Sequence, residues 1–185
     1  MRKPVLFVVF AFAVALAGNT STASSAAPGP KNYRANLEGF QENPSLSTTG
    51  RGHLSLRIDD EAQTIEYELA YGDLEGVGTT PFVTDGVVLF AHIHISAPSF
   101  NGGVSAFLCG GGGKAACPTP GGTFTGVIAP ADIVGPPLQG INPGEPTAFE
   151  ELVRSIRAGY AYANVHTTRW GGGEIRGQIG VGEGQ

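Results

Sequence analysis

Leu54-Ser55-Leu56-Arg57-Ile58, then Asp59-Asp60-Glu61-Ala62-Gln63, then Ile65-Glu66-Tyr67-Glu68-Leu69-Ala70-Tyr71, is apolar at every second position on either side of a polar break. Successive side chains of a strand point to opposite faces, so each half presents one apolar and one wet surface. Two such runs around turn residues predict a hairpin in an antiparallel sheet. The β pattern begins near Tyr33 and continues beyond the hairpin. Residues 87–95 are apolar almost throughout, which predicts a central strand. Shorter strands are expected over 104–108, 123–128, 160–167 and 174–179. Residues 148–158 alone carry helical spacing, with Phe149, Leu152, Val153 and Ile156 on one face. Thr147 is the expected N-cap and Gly159 the expected terminator. Many short strands, glycine turns and one short helix predict an all-β fold: an antiparallel Greek-key β-sandwich or a compact barrel.

The chain has 185 residues. Arg2 and Lys3 precede a continuous apolar run over 5–17 and then small residues, the pattern of a secretory signal peptide cleaved near 23–27. The expected organisation is a leader over 1–27, a linker over 28–32, one β domain over 33–180 and a tail over 181–185. No later segment has the length and apolarity of a transmembrane helix. The expected destination is secreted, periplasmic or extracellular. Loss of Arg2 and Lys3 takes the net charge from −5 to −7, which argues against a nucleic-acid partner. Cys109 and Cys117 are the only cysteines. In an oxidising compartment a disulfide is the expectation, with a pair of metal thiolates as the alternative.

Three of the four histidines fall in two segments. Ala91-His92-Ile93-His94-Ile95 sets two imidazoles side by side on one strand face. Asn164-Val165-His166-Thr167 supplies a third if its strand lies alongside. Neutral imidazole ligates zinc and copper, so His92, His94 and His166 are candidate ligands. His53 would be a fourth only if the first hairpin joins them. The competing reading is a polar strip of hydrogen-bonded histidines. Glu174, Arg176 and Asn164 are candidates for contacts around the site. Glu174 in particular is placed to orient His166, while an Arg176 ion pair on the sheet surface is the structural alternative.

The ending is the most specific part of the chain. Gly159-Tyr160-Ala161-Tyr162-Ala163-Asn164-Val165-His166-Thr167, a glycine-rich turn, and Gly173-Glu174-Ile175-Arg176-Gly177-Gln178-Ile179 resemble the signature ending of the CHRD domain, a family named for repeats in chordin and widespread in secreted bacterial proteins. Leu37-Glu38-Gly39-Phe40-Gln41-Glu42-Asn43-Pro44 resembles its opening. Ala91-His92-Ile93-His94 resembles its middle motif, and Gly102-Gly103-Val104-Ser105-Ala106-Phe107-Leu108 the strand after it. The glycine-rich insert over 110–120 and Ile95 depart from the pattern. The resemblance implies an extracytoplasmic β domain of immunoglobulin size and no established chemistry.

No catalytic constellation stands out. Gly110-Gly111-Gly112-Gly113-Lys114 fails as a phosphate loop, because Leu108 and Ala115 occupy positions that need glycine and Ser/Thr. No Gly-x-Ser-x-Gly elbow occurs. The first expectation is therefore a non-enzymatic module that binds a protein partner or the cell surface. The alternative is a copper- or zinc-binding extracytoplasmic protein, with redox activity open to a copper form.

Overall fold

A computed structural model describes residues 31–76 and 87–182. The leader, most of the linker, part of the Gly/Thr/Pro-rich stretch before residue 87 and the last residues of the tail lie outside them. The strands are β1 (Asn32–Glu38), β2 (Arg51–Asp59), β3 (Thr64–Gly72), β4 (Val88–Ile95), β5 (Val104–Cys109), β6 (Gly122–Ile128), β7 (Ala161–Thr167), β8 (Ile175–Gln178) and β9 (Gly180–Val181). The helix α1 spans Ala148–Arg157.

All nine strands belong to one antiparallel sheet, in the order β5-β4-β7-β8-β1-β2-β3-β6, with β9 also paired to β1. The predicted hairpin is the β2–β3 pair, in register from Arg51↔Gly72 to Asp59↔Thr64. Asp59 turns it by accepting the Glu61 and Ala62 amides at 3.1 and 3.0 Å. The sheet curls until its edge strands face one another. Tyr67 Oη on β3 donates to the Leu108 carbonyl of β5 at 2.6 Å across the gap. Of the two expected forms, a nearly closed barrel is the one adopted.

The apolar alternates of the hairpin fill the interior: Leu54, Ile58, Ile65 and Leu69 are fully buried. Ala91, Ile93, Ala163, Val165 and Ile175 join them from the opposite wall. The buried face of α1 packs against β4, β7 and β9. Gly159 ends α1 as expected, at φ +75°, and the Tyr160 amide donates back to the Ser155 carbonyl at 2.9 Å. Thr147 does not cap the start. Its hydroxyl donates to Glu151 Oε1 instead, at 3.2 Å. Cys109 and Cys117 form a disulfide that closes the glycine-rich loop after β5.

β4 lies between β5 and β7, the central position its apolarity predicted. All seven residues of β7 are buried. Both walls of this part of the sheet are therefore covered, and its polar side chains are held away from bulk water. Those side chains include the histidines.

Candidate metal centre

The β4–β7 register sets Phe90 opposite His166, His92 opposite Asn164 and His94 opposite Tyr162. These residues share the sheet face that points away from the barrel core. β4 is irregular here, with register shifts between Val88 and Phe90 on the β7 side and at both histidines on the β5 side. Such bulges re-aim side chains. The result is a compact imidazole cluster, with the His92 ring centroid 4.4 Å from that of His94 and 4.6 Å from that of His166. One ring nitrogen from each residue lies within 4.8 Å of the other two.

Two of the rings are oriented by the backbone. His94 Nδ1 lies 2.9 Å from the Gly102 carbonyl, and His166 Nδ1 lies 3.0 Å from the Gly171 carbonyl. A carbonyl oxygen only accepts, so both Nδ1 atoms carry the proton and both Nε2 atoms present lone pairs. His94 Nε2, His166 Nε2 and His92 Nδ1 are buried without a hydrogen-bond partner. The residues themselves are 9%, 7% and 3% exposed.

Burial keeps the rings neutral. His92 is pushed down to about 2 by loss of solvent and then by repulsion from His94 and His166. Loss of solvent pushes His94 down to about 4 against the opposing pull of the Gly102 carbonyl, and His166 also lies below its usual value. Metal ligation requires the neutral ring.

The walls are aromatic. Phe90 packs on His92 and His166 at 5.4 and 4.7 Å, and Phe107 meets His92 edge-on at 5.3 Å. Tyr162 stacks on His94 at 4.6 Å with ring planes 5° apart. The Arg176 guanidinium lies 3.4 Å from the centroid of the Tyr162 ring, approaching from β8. Ser105, buried with an unpartnered hydroxyl, occupies the β5 bulge between Phe107 and Val104, the residues that pair with His92 and His94.

The other candidates stand apart from this cluster. His53 is on β2, separated from β7 by β8 and β1, and contacts Asn36 Oδ1 and Ser55 Oγ at 3.2 and 3.0 Å. The first hairpin does not join the cluster. Glu174 does not orient His166. It is fully buried and accepts the Thr48 and Thr167 hydroxyls and the Glu75 amide, each at 2.7 Å. Backbone carbonyls took the orienting role, and no side-chain type announces them. Arg176 forms no surface ion pair with Glu174. Its guanidinium donates to the Phe100 carbonyl at 2.8 Å and Asn101 Oδ1 at 3.2 Å. Asn164 Nδ2 donates to Glu42 Oε1 at 2.6 Å. Phe90 was legible in principle, two residues before His92 and so on its face. Glu42 was not, because only the fold carries the first loop to β7.

The cluster offers three neutral nitrogen donors, two of them with preset tautomers, to a borderline or soft cation. Neither the search among curated proteins nor that among solved structures found a match. The family model of the CHRD domain matches residues 33–179, a span that runs from β1 to the end of β8 and includes all three histidines. The chain belongs to the CHRD domain family.

Proposed function

We propose that this CHRD domain is an exported metal-binding protein that holds one copper or zinc ion between His92, His94 and His166. The observation that carries this reading is the set of three buried, unpartnered ring nitrogens on neutral imidazoles. A buried polar atom without a partner costs about 1–3 kcal/mol, and buried groups of this kind normally find one. Three such nitrogens, on imidazoles that each bring one ring nitrogen within 4.8 Å of the others, are accounted for together by a shared cation. Ligand distances of about 2.0–2.1 Å require each nitrogen to move inward by under an ångström. Export is supported by the leader pattern and by the Cys109–Cys117 disulfide.

The test is metal analysis of mature protein purified without a polyhistidine tag, before and after dialysis against copper and zinc. One equivalent is expected in the parent and in His53→Ala, and loss of it in His94→Ala. Less than about a tenth of an equivalent after metal addition defeats the proposal, since apparent affinities of built sites far exceed such loading conditions.

A second reading, a partner- or surface-binding module without catalysis, is favoured by Phe40 and Phe100, 63% and 67% exposed. Their loops are tied together by Asn101 Nδ2 donating to the Asn43 carbonyl at 3.3 Å. Retention of the protein on cells that is lost in Phe40→Ser/Phe100→Ser, with metal content unchanged, supports it. Equal retention of both forms removes it.

A further inference from the structure

Resting on the metal-centre reading above, we infer that the triad is a cuprous site, which takes Cu+ in preference to Zn2+ or Cu2+. The first argument is coordination number. Among the described residues the cluster contains three histidines and no carboxylate or thiolate. Both cysteines are consumed by their disulfide. The nearby acids are engaged elsewhere: Glu174 with Thr48, Thr167 and the Glu75 amide, and Glu42 with Asn164. Zn2+ takes four ligands, and with three histidines its fourth is a water in an open position. Cu2+ favours a tetragonal set with further donors. Monovalent copper has a filled d shell, imposes no such geometry and is satisfied by three imidazoles.

The second argument is the medium. Phe90, Phe107 and Tyr162 wall the cluster, and all three histidines are more than nine-tenths buried. Apart from the buried Ser105 hydroxyl, the aromatic rings around the cluster give a fourth water ligand little to bond to. The cost of burying an ion rises with the square of its charge, so a dication costs about four times what a monocation does. The three ligands are neutral and bring no negative charge to offset it. The nearest fixed charge beyond Tyr162 is the Arg176 cation, stacked on the ring that stacks on His94. That arrangement adds repulsion in proportion to the charge of the guest.

The experiment uses the mature chain under anaerobic conditions, with competition against a chromophoric Cu+ chelator, parallel titrations with Zn2+ and Cu2+, and X-ray absorption on the loaded protein. The expected result is one Cu+ bound by three nitrogens, about a hundredfold tighter or more than Zn2+, an advantage readily resolved by competition. His94→Gln and His166→Gln each weaken Cu+ binding, while His53→Ala does not. Phe107→His, which adds a donor beside His92, narrows the preference towards Zn2+. Thermal melts without metal confirm that each variant is folded. Zn2+ binding as tight as Cu+ overturns the cuprous assignment and leaves the metal centre standing. Failure of all three ions to bind overturns both.

Discussion

Glu42 shows how one side chain can be governed by a fold its own neighbours do not reveal. It lies in the loop after β1, and burial raises its carboxyl to about 7, against the smaller opposing effects of Arg176 and the Asn164 amide. Between the unfolded value near 4.5 and that raised value, the native state holds a proton the unfolded chain has released. Stability from this group therefore falls as pH rises through that window. Glu42→Gln mimics the protonated form and keeps an acceptor for Asn164. It should leave stability nearly unchanged at pH 4.5 and increase it at pH 8 by about 1–3 kcal/mol. Urea denaturation of both proteins at the two pH values checks this. Equal stability at pH 8 would show that Glu42 is solvated in the native state.

The glycine-rich cysteine loop backs the wall of the histidine cluster through Phe107. Phe107 on β5 lies against His92 on one side and beneath Gly112 on the other. A Cβ on Gly112 would sit 2.7 Å from Phe107 Cδ2, and its φ of +57° is itself unfavourable for other residues. Gly112→Ala should cost about 1–2 kcal/mol, read as a lower denaturation midpoint. The disulfide closes a short loop, so Cys109→Ser/Cys117→Ser should cost about 2.5 kcal/mol by chain entropy. One anchor of the loop outside the disulfide is Lys114, 3.0 Å from Asp132 and donating to the Val127 carbonyl at 2.7 Å. A double variant that retains metal but melts earlier is the expected outcome. Its cysteines and glycines announced a clipped loop, whereas its contact with Phe107 depended on how the chain folds back after β5.

For the molecule as a whole, the three histidines lower stability on the acid limb. Each has a native value below the ordinary 6.5, with His94 near 4 and His92 near 2. Below pH 6.5 the unfolded chain takes up protons that the native cluster refuses, so stability falls as pH drops. Glu42 works the other way from pH 7 down to 4.5, offsetting part of that uptake. The expected net slope between pH 6.5 and 4.5 is about 1–3 kcal/mol per pH unit, each net proton contributing about 1.4. Equilibrium unfolding across this range measures it. The variant His92→Gln/His94→Gln/His166→Gln should flatten or reverse the slope, and an unchanged slope would place the proton uptake elsewhere.

Alternation over 54–71, the one helical period near 150 and the motifs of the family were readable from residue order, because pleat and helical turn depend on nearest neighbours. The side-by-side placement of His92 and His94 was local in the same sense. The arrival of His166 was not: it required β7 to dock on β4 across more than sixty intervening residues. The same docking excluded His53, whose strand lies three places from β7 in the sheet. It also replaced Glu174 with the Gly102 and Gly171 carbonyls as orienting partners. Strand order is chosen by burial of the whole apolar set, and burial in turn keeps the imidazoles neutral and leaves a ring nitrogen of each without a partner. Residue order therefore specified the three imidazoles, and the docking of β7 on β4 brought them together.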